Sequence, residues 1–261
     1  MKASTTKSGL GIAIATLFAI VATLTINVLS NFFPPKGANI GKISNTIFQG
    51  VQITPANYAF AIWGLIYIGL IAYGIYQLRP PQRRDRTIQR VSLLLIVACG
   101  AQIVWVYLFT MHLFWLSVIA MLVILLALIG AYLQLGVGKV KVLRDRKWLA
   151  HVPFSIYLGW ISVATIVNIA SALYMSNWDG WGINGTNWTA IMLVVATAIA
   201  GVVAIQRADI AFICVFIWAY MAIAIRQSNN PTVLGTALAS AIVLGVLLVF
   251  GISKTVTTIA D

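Results

Sequence analysis

The sequence predicts an all-α protein, a polytopic transmembrane helical bundle of about eight spans, and three observations predict it. Of its 261 residues, 61% are hydrophobic and only 8% are charged, Glu is absent, and mean hydropathy is +0.96. The apolar residues gather in runs long enough to cross a hydrocarbon layer about 30 Å thick, which takes about 20 helical residues. The 17 Lys and Arg fall between those runs, in alternate gaps. Helices are favoured over a barrel because the runs are continuously apolar rather than alternating, and because in lipid each backbone amide must find its partner within the segment.

The spans are expected at 10–29, 56–78, 91–110, 113–134, 149–174, 188–205, 210–225 and 233–252. Lys2 and Lys7 precede the first run, but it is too long for a signal-peptide core and no small-x-small cleavage site follows it, so it reads as a retained helix. Pro55 suits the first turn of the second span, where its missing N–H has no partner to lose. The third and fourth spans come from one apolar stretch, 91–135, divided on grounds of length at its most polar interruption, Thr110, Met111 and His112. The sixth and seventh are the shortest. In the last three, Gly201, Gly235, Ala239 and Gly245 offer surfaces for close helix packing.

Charge sets the expected orientation. With the N-terminus inside, the inner segments hold Lys2, Lys7, Arg79, Arg83, Arg84, Arg86, Arg90, Lys139, Lys141, Arg144, Arg146, Lys147, Arg207 and Lys254, and the outer segments hold Lys36, Lys42 and Arg226. Cytoplasmic loops carry the basic excess, so both termini are expected in the cytoplasm. The formal charge of +12 is therefore topological rather than a nucleic-acid footprint, with anionic lipid contact as a consequence.

Little supports catalysis. The five acids, Asp85, Asp145, Asp179, Asp209 and Asp261, fall in loops or at ends, whereas proton relays and intramembrane enzymes place ionisable groups within spans. Cys99 and Cys214 read as small apolar fillers, and His112 and His151 lack a second ligand at metal spacing. The protein is expected not to be an enzyme and to hold no metal, and these residues by themselves fix no cofactor.

The spans instead carry aromatic and amide side chains at helical spacing. Within ITPANYAFAIWGLIYIGL, Phe60, Trp63 and Tyr67 are i, i+3 and i+7 on one face. Within YLGWISVATIVNIASALY, Trp160, Ala164 and Asn168 are i, i+4 and i+8, with Thr165 beside them. An amide in hydrocarbon needs a partner, so Asn168 is expected to point into the bundle. Such a stripe serves core packing or an interfacial belt, and two of them facing each other serve a flat apolar ligand. The loop SNWDGWGINGTNW, with Trp178, Trp181 and Trp188, reads as an interfacial belt, with a lid over a cavity as the alternative.

At these residues the chain resembles the tryptophan-rich sensory protein or translocator protein (TspO/MBR) family. Pro55, Trp63 and Tyr67 match its second helix, Trp160, Ala164 and Asn168 match its fifth-helix pattern W-x-x-x-A-x-x-x-N, and WVYLFTMHLFWLSVIAMLV is similar, more loosely, to its third-to-fourth hairpin. The resemblance covers 10–178 and implies a five-helix unit, 1–178, followed by a three-helix C-terminal extension, 179–261. It implies a ligand cavity lined by Trp63, Tyr67, Trp105, Trp160, Ala164 and Asn168 and partly covered by the first loop. That loop is longer here, 30–54, and lacks the family's usual W-Y motif.

The function this implies is non-covalent binding of a hydrophobic small molecule, a porphyrin or a sterol-like compound, by a membrane sensor or carrier. In that reading Trp63 and Trp160 stack on the ligand, Tyr67 and Asn168 give it hydrogen bonds, and Ala164 leaves room. A small-molecule transporter and a structural subunit of a larger membrane complex remain as alternatives. Expected partners are membrane lipid, the hydrophobic ligand, and a second copy of the chain or a larger complex, with no nucleic acid.

Overall fold

In a computed structural model, which describes residues 9–260 and the side chains of 9–253, the chain is a bundle of long helices, with no strand among the described residues. Lys2, Lys7 and Asp261, and the side chain of Lys254, lie outside the described residues.

In chain order the elements are α1 (Leu10–Phe32), the short α2 (Ile40–Thr46), α3 (Ile62–Leu78), α4 (Pro80–Arg84), α5 (Arg86–Thr110), α6 (Phe114–Leu135), α7 (Arg144–Arg146), α8 (Val152–Met175), α9 (Gly185–Arg207), α10 (Ile210–Arg226) and α11 (Pro231–Ala260). A 3-10 turn over Asn57–Ala61 leads into α3, and a π turn over Lys147–His151 leads into α8. Among the described residues, seven segments are long and apolar enough to cross a membrane: Leu10–Phe32, Asn57–Leu78, Arg86–Thr110, Phe114–Leu135, Arg144–Met175, Gly185–Arg207 and Pro231–Ser253. The eighth expected span is α10, a shorter apolar helix of 17 residues. At about 1.5 Å per residue it reaches roughly 25 Å, and it packs against α8, α9 and α11, so protein rather than lipid covers much of it.

Helix ends follow from local chemistry. Asp85 caps α5 by accepting from the Thr87 N–H at 2.7 Å, Asn184 caps α9 through the Asn187 N–H at 2.8 Å, and Asp209 caps α10 through the Phe212 N–H at 3.2 Å. The expected break between the third and fourth spans is a tight turn over Met111, His112 and Leu113, with His112 at φ 63°. Pro55 departs from expectation. It precedes the 3-10 turn instead of opening a helix, and the next amide, that of Ala56, donates to the Ala222 carbonyl of α10 at 3.1 Å.

Helix alternation separates two ends. One, the basic end, collects Arg79, Arg83, Arg84, Arg86, Arg90, Lys139, Lys141, Arg144, Arg146, Lys147 and Arg207, and the other collects Lys36, Lys42 and Arg226. At the basic end Arg146 pairs with Asp85 at 2.7 Å and Arg79 with Asp145 at 3.0 Å, while Arg207 donates to the Val137 carbonyl at 2.8 Å. Gly138 permits that last approach. Its φ is +72°, and a Cβ there would lie 2.1 Å from the Arg207 carbonyl oxygen.

The loop between α8 and α9 contains the expected 178/179 boundary, but one apolar core runs across it. The seam is Gly159 on α8, where a Cβ would lie 3.1 Å from the Val215 Cβ and 3.2 Å from the Phe212 carbonyl oxygen of α10. The small residue lets the two backbones approach. Helix α9 packs mainly along α11 rather than along α8.

Candidate functional site

Near the end opposite the basic loops, α3, α5, α6 and α8 enclose a cavity of about 60 Å3. Of the six residues singled out from sequence, Trp63, Trp105, Trp160, Ala164 and Asn168 line it. Helical spacing does this. Trp160, Ala164 and Asn168 are one face of α8, and that face looks across at Trp63 of α3 and Trp105 of α5. Tyr67 is outside the lining: one turn deeper than Trp63, it stacks on that ring with centroids 5.7 Å apart and planes 27° off parallel.

The aromatic walls are packed on one another. Trp160 meets Phe60 edge-on at 5.9 Å and Trp63 edge-on at 6.4 Å, and Trp105 stacks on Phe109 at 5.2 Å. Edge-to-face and offset pairs of this kind are worth about 0.5–1.5 kcal/mol each beyond area burial, so the closed arrangement is itself a favoured state.

Asn168 points into the bundle as expected, and both ends of its amide are engaged there. The carbonyl oxygen accepts from Trp105 Nε1 at 2.7 Å and Nδ2 donates to Ser117 Oγ at 2.9 Å; the Ser117 hydroxyl in turn donates to the Phe114 carbonyl at 2.6 Å. This chain ties α5, α6 and α8 together. Asn168 is a brace in this state, and the Tyr67 hydroxyl, buried without a partner, belongs to a residue outside the lining.

Two other donors are better placed to serve the cavity. Trp160 Nε1 and Gln102 Nε2 are buried, belong to cavity-lining residues and have no hydrogen-bond partner. Gln102 Oε1 accepts from Tyr157 Oη at 2.9 Å, which fixes the amide in the wall. Buried polar groups are nearly always bonded, so a pair of unpartnered donors around one small space fits an acceptor group on a ligand, or water.

Gln102 was not singled out from sequence, although the reasoning applied to Asn168 covers it and Gln77 equally. Gln77 is the corresponding brace toward the basic end, accepting a short hydrogen bond from Ser92 and donating to the Ala13 carbonyl at 3.3 Å, with Tyr73 on Ser92 at 2.9 Å.

The segment between α1 and α3 closes the cavity. Its helix α2 is capped by Asn39 on the Lys42 N–H at 2.9 Å, and Ile40, Ser44, Phe48 and Pro55 complete the lining. Phe48 is almost wholly buried against Phe109 and Phe114, at 5.9 and 4.9 Å. This lid is held from the C-terminal helices. Arg226 at the end of α10 donates to Asn45 Oδ1 at 3.1 Å, to the Pro55 carbonyl at 3.3 Å and to the Ser44 carbonyl at 3.2 Å. Gln227 donates to the Gln52 carbonyl at 3.0 Å, Asn230 to Gln52 Oε1 at 3.3 Å, and Trp218 Nε1 to the Ala59 carbonyl at 3.2 Å. The tryptophans of the other long loop, Trp178, Trp181 and Trp188, form a cluster of their own with centroids 5.2–5.9 Å apart, away from this cavity.

No group of three or more His, Cys or Asp able to hold a metal ion occurs among the described residues. The cavity lining holds no acid, base or thiol, and beyond its amides and indoles its polar groups are the hydroxyls of Ser44 and Ser171. The arrangement suits shape-selective binding of an apolar molecule.

No curated protein and no solved structure matches this sequence. The profile described as TSPO-like protein matches residues 13–250. That match runs from α1 into α11 and so takes in the three C-terminal helices with the lid and the aromatic cavity; this integral membrane protein belongs to the TSPO-like family.

Proposed function

We propose that the aromatic cavity binds a flat hydrophobic molecule, a tetrapyrrole or a sterol-like compound, non-covalently, and that the protein acts as its sensor or carrier, with the basic end and both termini in the cytoplasm. The observation that carries this reading is the convergence of Trp63, Trp105 and Trp160 on one small space whose lining residues include two unpartnered donors, Trp160 Nε1 and Gln102 Nε2. Planar rings supply the walls, and the two N–H groups would meet an acceptor on the ligand.

The chemistry fits such a ligand better than the closed volume does. About 60 Å3 is room for roughly two waters, whereas sites for drug-sized ligands span roughly 300–1,000 Å3. Binding therefore requires the lid and the aromatic rings to part, and the hydrogen bonds from Arg226, Gln227 and Asn230 are what must yield first. A ligand that selects the open state gives a sensor its two conformations.

The test is quenching of tryptophan fluorescence by protoporphyrin IX on the purified protein, with Ala164→Phe as the cavity-filling comparison and circular dichroism as the check of folding. Saturable quenching in the wild type that Ala164→Phe abolishes supports the reading. Quenching unchanged by Ala164→Phe places the ligand elsewhere, and flux of ligand across sealed vesicles would make the protein a transporter.

A further inference from the structure

Beside the lid lies a preformed space larger than the aromatic cavity. It is a crevice of about 380 Å3 between α8 and α9, and it exists because those consecutive helices diverge: α9 packs along α11 and leaves the outward face of α8 uncovered. One wall is Ile166, Ile169, Ala170 and Leu173 of α8, and the opposite wall is Met192 and Thr189 of α9. The lid residues Val51 to Ile53 form its third side, so the lid separates the two spaces. At about 30 Å3 per water-sized unit, the crevice holds on the order of a dozen such units, the bulk of a medium-length alkyl chain.

Its mouth has a different chemistry from its walls. Trp178 and Trp188 stand there with their ring centroids 5.2 Å apart, and Trp188 is held by its Nε1 on the Gly180 carbonyl at 2.7 Å. Between them in sequence lies Asp179, which also lines the crevice and is the one acid among the described residues at this end of the bundle. One carboxylate oxygen accepts from the Trp181 N–H at 3.0 Å, and among the described residues Asp179 enters no ion pair. A carboxylate outside any ion pair that lines the same crevice as two tryptophans is a recognition element for a cation, through charge and through the rings' negative faces.

We propose that this crevice binds a single-chain amphiphile with a cationic amine head, its chain between α8 and α9 and its head against Asp179, Trp178 and Trp188. The site is distinct from the aromatic cavity, shares none of its lining residues, and stands or falls separately from the function proposed for that cavity.

The experiment uses the full-length protein in nanodiscs and two quenchers of tryptophan fluorescence with the same chain, 12-bromododecyltrimethylammonium and the neutral 12-bromododecyl maltoside. The expected result is saturable quenching by the cationic probe at a concentration about tenfold below that needed for the neutral one. Asp179→Asn keeps the acceptor for the Trp181 N–H and should bring the two probes within about twofold. Ala170→Phe, filling the crevice from α8, should remove saturable quenching, and Met192→Phe does the same from α9 should the first variant fail to fold. Equal quenching by the two probes in the wild type would overturn the proposal and leave an apolar groove for lipid chains. Charge preference that survives Asp179→Asn, or saturation that survives both folded filling variants, would overturn it as well.

Discussion

The Arg226 guanidinium donates to the Pro55 carbonyl at 3.3 Å across 171 residues of sequence, and Pro55 lines the aromatic cavity. The same side chain reaches Ser44 and Asn45, so one residue at the end of α10 holds the lid both at its helix α2 and at Pro55. The three C-terminal helices thus have a physical role in the site without lining it: they hold its cover.

Removing that hold should loosen the lid without unfolding the bundle. Hydrogen bonds from a charged donor are worth about 1.5–3 kcal/mol each, and Arg226 makes three to acceptors in the lid. Arg226→Ala should therefore raise the open population by at least tenfold. Hydrogen exchange of amides 40–55 should accelerate accordingly while exchange in α5 and α6 stays as in the wild type, and ligand association should quicken. Arg226→Lys should fall between, since an ammonium group cannot span acceptors set on two sides of a planar fork. Uniform acceleration across all helices would mean that Arg226 supports the fold as a whole.

Asn168 should behave as a brace. Asn168→Ala leaves Trp105 Nε1 and Ser117 Oγ without their buried partner and should cost about 1–3 kcal/mol, seen as a lower melting temperature in detergent at every ligand concentration. Because the carbonyl oxygen and one amide N–H are committed to Trp105 and Ser117, the loss of stability should exceed any loss of affinity. A variant with wild-type melting and no binding would instead make Asn168 a direct ligand contact.

Asp85 gives the bundle an acid limit. Its burial opposes ionisation, but the Thr87 N–H, the Arg146 guanidinium and the Ile88 N–H together outweigh that and hold its carboxyl below the ordinary carboxylate range. A carboxyl depressed in the folded state contributes stability that is fully present above its unfolded pKa, near 3.9, and is lost as pH falls through the lower folded value. The melting temperature should accordingly decline below about pH 4, and Asp85→Asn, which keeps a capping oxygen, should flatten Asp85's share of that decline. Asp85→Ala gives up the helix cap too, and should cost about 1 kcal/mol more at neutral pH.

Much of this was legible in the sequence because a bilayer makes a long apolar run mean one thing. The expected spans align with the observed helices, and even the division of 91–135 falls at the His112 turn. Five of six expected site residues meet around one cavity, since residues at i, i+4 and i+8 must share a face whatever the helix packs against. What sequence could not show was pairing between distant segments. Nothing in the spacing of Asn168 says that Trp105 takes its carbonyl, nor does the lone Arg226 say that it grips a loop 171 residues earlier. Tyr67 was misplaced for a related reason. Tyr67 shares the face of Trp63 but stacks on its ring, and it is the Trp63 indole that supplies the wall.

The seam between α8 and α10 offers a way to disturb the lid from a distance. At Gly159 a Cβ would lie 3.1 Å from Val215 and 3.2 Å from the Phe212 carbonyl, so alanine requires a few tenths of an ångström of movement and valine requires more. Overpacking of this kind costs about 1–3 kcal/mol. Helix α10 should take up the displacement, because α8 is fixed on its other side by Asn168 and by Tyr157 on Gln102. A shift of α10 moves Arg226 away from Ser44 and Pro55 with it. Gly159→Val should thus reproduce the lid loosening of Arg226→Ala in hydrogen exchange, with an added fall in melting temperature, while Gly64→Val on α3, where a Cβ meets nothing within 4 Å, should leave the lid unchanged. If Gly159→Val lowers stability but the 40–55 amides exchange as in the wild type, the lid is held independently of where α10 sits on α8.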